Sequence, residues 1–250
     1  MIIEPLSAKQ IAGLCDHTFL TPTEAFRHAA KSGENPIALR RRAFEAFLAE
    51  TTASPLKPYA ICVAASDVHW VARHLPDAII AATVGFPDGP RHSTAYTLAE
   101  TYVALSEGAQ EIDMVLDYDG LKNNEYEFIR EDLNQVVQMV HRHSAILKLI
   151  LEVSELTLEQ TAKACELANE AGVDFVKTST GFSASGATIE HLKVMRQTFH
   201  RGIKISGGVN LDNVHSLLSA ATAAEQAIST DPQVLRIGES SLLKQLEALR

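Results

Sequence analysis

Four ionisable residues stand where an apolar strand would carry hydrophobic ones. Asp113 lies in Ile112-Asp113-Met114-Val115-Leu116 and Lys148 in Ile146-Leu147-Lys148-Leu149-Ile150-Leu151-Glu152. Lys177 lies in Phe175-Val176-Lys177-Thr178-Ser179 and Lys204 in Ile203-Lys204-Ile205. Side chains alternate along a strand. If the apolar sets packs on helices, Asp113, Lys148 with Ile150 and Glu152, Lys177 and Lys204 all point the other way. An unpaired buried ion is costly, so such groups must pair, stay wet or change their protonation. A salt-bridge network without chemistry is one reading. Four such groups on successive strands favour a reaction centre.

The residue types suggest which reaction. A lysine attacks a carbonyl only as the neutral amine, and its ordinary pKa is about 10.4. Partial burial and a neighbouring ammonium favour the neutral form. Lys177 and Lys204 are expected on adjacent strands, where each could tune the other. A carboxylate such as Asp113 and a second lysine can carry the proton transfers that imine formation needs. Carbon–carbon bond cleavage or formation through an imine or enamine fits this set, with no metal or cofactor. Glycine-rich turns add an anion site: Gly181, then Gly207-Gly208, then Gly238-Glu239-Ser240-Ser241. Glycine lets backbone N–H groups approach a phosphate, and a helix starting near Ser240 would add its dipole. Any one of these could be a plain turn; three at consecutive strand ends favour phosphate.

The elements that must position these groups alternate along the chain. Eight apolar runs read as strands: 14–20, 59–64, 79–85, 112–117, 146–152, 174–180, 203–208 and 234–238. Most are rich in Val, Ile and Leu, as strands buried on both faces are. Helical spacing marks 37–50, 93–107, 125–143, 158–171 and 189–199. Thr21-Pro22-Thr23-Glu24 and Thr157-Leu158-Glu159-Gln160 read as capping boxes. Gly108, Gly172 and Gly202 read as helix stops leading into strands. The stretch 51–57 reads as a loop rather than a domain boundary. Eight strand–helix units in 250 residues match a parallel (β/α)₈ TIM barrel as a single domain over residues 1–250. An open doubly wound sheet is the runner-up, but no G-x-G-x-x-G turn is present.

Composition narrows the class. Lys and Arg total 22 against 31 Asp and Glu, for a net charge of −9. That argues against nucleic acid and against an anionic membrane surface as partners. Three cysteines, Cys15, Cys62 and Cys165, form no C-x-x-C pair and read as reduced thiols. The first ten residues lack a leader pattern, and apolar runs of about eight residues are too short to span a bilayer. A cytoplasmic location is expected.

With those residues in hand, the chain resembles the deoxyribose-phosphate aldolases, a class I aldolase family with a barrel fold. The resemblance runs from about Leu14 to Leu243. It rests on Asp16-His17-Thr18 with Leu20, Ile61-Cys62-Val63, Val84-Gly85-Phe86-Pro87-Asp88-Gly89, Glu111-Ile112-Asp113-Met114-Val115 and the Lys148 run. The most specific stretches are Asp174-Phe175-Val176-Lys177-Thr178-Ser179-Thr180-Gly181 and Ile203-Lys204-Ile205-Ser206-Gly207-Gly208-Val209, closed by Arg236-Ile237-Gly238-Glu239-Ser240-Ser241. It implies reversible cleavage of 2-deoxy-D-ribose 5-phosphate to D-glyceraldehyde 3-phosphate and acetaldehyde. Lys177 would form the Schiff base, with Asp113 and Lys204 relaying protons and tuning it. Thr180, Gly181, Gly207, Gly208, Gly238, Ser240 and Ser241 would surround the phosphate. Asp16, Thr18, Cys62 and Lys148 would line the site, Cys62 having a second reading as a small core residue. A small phosphorylated sugar is the implied partner, and a homodimer or larger homo-oligomer the implied assembly.

Three features depart from the family pattern. Glu239 replaces a small or neutral residue beside the expected phosphate, and Asn210 stands where many members have Arg. The chain stops at Arg250, without the tyrosine-ended tail of some members. Either phosphate preference is weakened, or Glu239 points away from a site built of backbone. Other readings are a class I aldolase for another aldehyde pair and a non-catalytic phosphosugar-binding barrel. A metal-dependent aldolase would need clustered histidines. The ten present are scattered, and His141-Arg142-His143 has the wrong spacing for one helix face.

Overall fold

Short β-branched runs alternating with longer amphipathic segments close into a ring. The computed structural model describes residues 6–223 and 226–249. Residues 1–5 and Arg250, on which the leader, domain-extent and tail readings partly fall, lie outside the described residues. The strands are β1 (Cys15–Phe19), β2 (Ala60–Ala64), β3 (Ile79–Val84), β4 (Glu111–Val115), β5 (Ile146–Ile150), β6 (Phe175–Lys177), β7 (Gly202–Ser206) and β8 (Leu235–Glu239). Each pairs in parallel with the next, and β8 pairs with β1, giving a closed eight-stranded barrel. This is the (β/α)₈ architecture.

The helices form the outer layer. α1 (Ala8–Ala12) precedes β1; α2 (Thr23–Ala29) and α3 (Pro36–Ala53) follow it. Then come α4 (Val68–His74) after β2, α5 (Thr94–Ser106) after β3, and α6 (Tyr118–Lys122) and α7 (Tyr126–Arg142) after β4. α8 (Leu158–Ala171), α9 (Ile189–Thr198), α10 (Val214–Ala220) and α11 (Leu242–Glu247) follow the last four strands in turn. The five helices expected from periodicity are all present. The short ones have too few turns for a period to show.

The outward strand faces are apolar, as the alternation requires. Ile112, Met114, Leu147, Leu149, Leu151, Val176, Ile203 and Ile205 are buried in one core with helix residues. From α7 these include Leu133, Val136 and Val140, and from α8 Ala164, Leu167 and Ala168. Burying each Leu or Ile there contributes about 1.5–3 kcal/mol.

Local signals succeed and fail for identifiable reasons. Thr157 caps α8 as expected: its hydroxyl accepts from Gln160 N–H, and the Gln160 side chain accepts from Thr157 N–H. The Thr21 box does not form. α2 starts two residues later with Pro22 at the N-cap, and Thr21 lends its carbonyl to Arg40 instead. A second box, Ser7 with Gln10, caps α1. Gly172 ends α8 at φ +84°, in the left-handed region. Gly202 is no helix stop but the first residue of β7: α9 ends at Thr198 with Phe199 extended. A Cβ on Gly202 would lie 2.3 Å from the Phe175 ring, so packing demands the glycine. The loop expected over 51–57 starts later, because α3 continues to Ala53.

Candidate active site

Parallel register brings the interior charges together. It sets Asp113 beside Lys148 across β4 and β5, Lys177 beside Lys204 across β6 and β7, and Lys204 beside Arg236 across β7 and β8. Asp113 is the hub. Its Oδ2 accepts from Lys177 Nζ at 2.9 Å and Lys204 Nζ at 2.7 Å, and its Oδ1 from Lys148 Nζ at 2.7 Å. Lys204 Nζ also donates to Asp16 Oδ2 at 2.5 Å. Lys148 Nζ lies 2.5 Å from Glu111 Oε2. Arg236 joins Asp16 and Glu111 from below, each at 2.7 Å, with its guanidinium 3.8 Å over the Tyr59 ring. Asp16, Asp113, Lys148, Lys204 and Arg236 are fully buried.

Mutual neutralisation holds these charges in place. Burial alone would raise the Asp113 carboxyl, but Lys148, Lys177 and Lys204 outweigh it and hold it well below the usual carboxylate range. Burial would raise Asp16 likewise, and Lys204, Lys148 and Arg236 hold it low. Burial would lower Lys204 and Lys148, yet the carboxylates raise both, Asp113 most of all. The Cys62 thiol is pushed up by burial, 4.0 Å from Asp113 Oδ2. Three carboxylates (Asp16, Glu111, Asp113) thus face four basic groups (Lys148, Lys177, Lys204, Arg236), a surplus of one positive charge when all are ionised.

Lys177 differs from the other interior charges. Among the described residues it alone of this group lines a cavity of about 310 Å³ at the carboxyl ends of the strands. Thr18, Thr180, Gly181, Gly207, Gly208, Gly238, Ser240 and Ser241 line the same cavity, as do Ser206 and Phe182. Asp16, Cys62, Asp113, Lys148 and Lys204 have no exposed surface, and none of them lines that cavity. Among the described residues no group of His, Cys, Asp and Glu is placed to hold a metal ion.

The rim is built from strand-end turns. Thr178 Oγ1 donates to Ser206 O and accepts from Ser206 N–H, both at 2.8 Å, which locks the end of β6 to β7. Glu152, in the left-handed region at φ +52°, accepts from Thr180 N–H and from its hydroxyl. Gly207 and Gly208 are both left-handed, at φ +88° and +74°. Successive backbone N–H groups in such a turn form an anion-binding concavity. Ser241 is the N-cap of α11.

The two departures near the expected phosphate resolve in opposite senses to a simple charge count. Glu239 also borders the cavity, but its side chain alternates with Gly238 and so faces the helices. His17 Nδ1 donates to its Oε1 at 2.6 Å, and its side chain has no exposed surface. Asn210 folds back, its Nδ2 donating to Gly208 O at 3.3 Å. Glu111 and Arg236 are members of the interior charge cluster that the alternation argument did not single out. The signal for Glu111 was its spacing, two residues from Asp113 and so on the same face. For Arg236 it was a lone charge between Leu235 and Ile237.

Comparison with known proteins places the chain in a family. The profile of the DeoC/LacD family aldolases matches residues 14–247. A deoxyribose-phosphate aldolase of Thermococcus gammatolerans is 37% identical over 199 residues, covering 77% of this chain and 83% of that protein. The crystal structure of a Coccidioides immitis protein assigned as a deoxyribose-phosphate aldolase superposes with a TM-score of 0.79 at 28% identity, covering 98% of this chain and 87% of that one. The deoxyribose phosphate aldolase of Aeropyrum pernix, described as a tetramer, shares the fold with a TM-score of 0.70 at 21% identity, covering 98% of this chain and 94% of its own. The buried lysine–carboxylate hub beneath a cavity fits what these likenesses establish: the chain belongs to the DeoC/LacD family of aldolases, lyases of the deoxyribose-phosphate aldolase type.

Proposed function

We propose that this enzyme reversibly cleaves 2-deoxy-D-ribose 5-phosphate to D-glyceraldehyde 3-phosphate and acetaldehyde through a Schiff base on Lys177. One observation carries the reading: Lys177 is the interior amine that reaches the cavity, and it is bonded to Asp113. The opposite rim, Gly207, Gly208, Gly238, Ser240 and Ser241, offers backbone N–H and hydroxyl groups to a phosphate.

The chemistry follows from the charges. With four basic groups against three carboxylates, loss of one proton from Lys177 leaves the cluster balanced. The neutral Nζ adds to the aldehyde C1 of the open-chain sugar, and the carbinolamine hydroxyl takes a proton and leaves as water, giving the protonated imine. Asp113 enters as a carboxylate able to take a proton, and Lys204 as an ammonium able to give one. Removal of the C3 hydroxyl proton breaks the C2–C3 bond. Its electron pair moves onto the imine to give an enamine, and glyceraldehyde 3-phosphate leaves. Protonation at C2 and hydrolysis then release acetaldehyde and regenerate Lys177. Asp16 and Lys148 hold Lys204 and Asp113 in place from beneath, Cys62 packs beside Asp113, and Thr18 and Thr180 with Gly181 shape the mouth.

Borohydride reduction in the presence of deoxyribose 5-phosphate, followed by peptide mass mapping, tests this. An adduct on the peptide containing Lys177 is expected; no adduct on any peptide would overturn the mechanism. We further propose that the chain acts in the cytoplasm as a homo-oligomer. Among the described residues no helix is long and apolar enough to cross a membrane, and the Aeropyrum pernix protein is described as a tetramer. Light scattering of the purified protein reads the assembly, and a monomer would contradict it.

A further inference from the structure

The β1–β8 seam closes the ring of strands, and a buried pair sits on its outer face. His17 lies opposite Glu239 in register, both on the outer strand face. His17 Nδ1 donates to Glu239 Oε1 at 2.6 Å, and its ring stacks on Phe47 at 4.7 Å. Glu239 Oε2 accepts from the backbone N–H of Leu243 at 3.1 Å. Gly238, Glu239, Ser240 and Ser241 all border the cavity, Glu239 without its side chain, which has no exposed surface.

That last bond is unusual for the helix it serves. The first N–H groups of a helix have no partner within it, and an N-cap serine ordinarily accepts from one two or three residues on. Ser241 is the N-cap of α11 and Leu243 the second helical residue, yet Ser241 makes no capping bond. Glu239 takes the amide that Ser241 would otherwise take. Among the described residues the Ser241 hydroxyl accepts only a 3.3 Å bond from Gln245 Nε2 and donates to none, so its hydrogen can be offered to a ligand.

We propose that Glu239, held by His17, is a positioning residue that caps α11 in place of Ser241 and thereby leaves the Ser241 hydroxyl for the substrate phosphate. The charge of Glu239 is thus spent on His17 and a backbone N–H, behind the wall that the phosphate meets. When Glu239 is removed, the Leu243 amide is left unsatisfied and recruits Ser241, which turns from the cavity to the helix. This inference rests on the phosphate reading given under the proposed function.

Steady-state kinetics with deoxyribose 5-phosphate and with free deoxyribose test it, using E239A, E239Q, S241A and E239A/S241A. A hydrogen bond to a charged group corresponds to roughly a tenfold change in KM. E239A is expected to raise KM for the phosphorylated sugar by about that factor, with kcat little changed and free-sugar kcat/KM unmoved. E239A/S241A should be no worse than S241A alone, because Glu239 acts through Ser241. E239Q keeps an oxygen for the Leu243 N–H and should retain most of the affinity. Additive losses in the double variant, equal losses on both sugars, or a lower KM for the phosphorylated sugar in E239Q would each overturn the proposal. Should E239A not fold, E239D carries the same test, since the shorter carboxylate cannot span His17 and Leu243 together. A parent enzyme with no preference for the phosphorylated sugar would instead remove the phosphate reading, and this proposal with it. A clear preference combined with additive losses removes the proposal alone.

Discussion

The two faces of the same strands obey different physics. On β4, β5 and β7 the outward face is Ile112 and Met114, Leu147 and Leu149, Ile203 and Ile205, held by non-directional burial against helices. The inward face of those strands is Asp113, Lys148 and Lys204, held by bonds of 2.5–2.9 Å that need exact partners in number. The outer face tolerates exchange among apolar residues of similar size. The inner face does not, because removing one ion leaves another buried without its partner. Stability is spread over the first face, and the proposed mechanism concentrates its chemistry on the second.

Substitutions on each face test that division. Lys177→Met is expected to give the largest effect, a loss of at least about a thousandfold in kcat with no borohydride adduct. Retention of turnover would move the chemistry away from the inner face altogether. Arg236→Met leaves Asp16 and Glu111 each short of a partner, and should cost about 3–5 kcal/mol by denaturant unfolding. Adding Glu111→Gln should recover a large part of that loss, since the pair is then removed together. If the single variant were as stable as the parent, the interior charges would not be holding one another.

Leu149→Ala, on the outward face of β5, should cost about 2–5 kcal/mol while kcat below the unfolding transition stays within about twofold. A large fall in kcat of the folded variant would show that the faces are coupled. The smallest effect expected is on pH dependence. Asp113 and Asp16 are held below their ordinary values, so the unfolded chain binds more protons than the folded one in acid. Their contribution is present above about pH 4 and is lost as pH falls through the folded values. Lys204 and Lys148 are raised, so theirs is present up to about pH 10 and lost as pH rises through the folded values. Stability curves from denaturant unfolding should therefore be flat near neutrality, and Asp113→Asn should flatten the acid limb. An acid limb as steep in that variant as in the parent would assign acid unfolding to other carboxylates.

Much of the barrel was legible because its signals are local. Alternation on β4, β5, β6 and β7 placed Asp113, Lys148, Lys177 and Lys204 inside, and the Gly-Gly and Gly-Glu-Ser-Ser turns placed the rim. Short elements such as α4 and α10 were not legible, since seven residues barely complete two turns. The Thr21 box failed because a capping pattern names a candidate, whereas the chain's exit from β1 decides where α2 begins. Gly202 failed for a similar reason: the glycine answers to the Phe175 ring on the neighbouring strand.

By itself the sequence determined which residues face inward, because the two-residue period of a strand is set by the backbone and needs no partner. It also narrowed the chemistry that could be proposed, since a lysine among apolar neighbours has few stable alternatives. Only the tertiary structure decided who pairs with whom. Arg236 meets Glu111 from 125 positions away, and Glu239 meets His17 from 222. Those contacts exist because β8 closes on β1 in one register, and closure joins the ends of the strand order, where no local pattern reaches. Glu239 is the clearest case. As a sequence feature it is a negative charge beside a phosphate turn; in the closed barrel it is a buried cap on the far side of the wall.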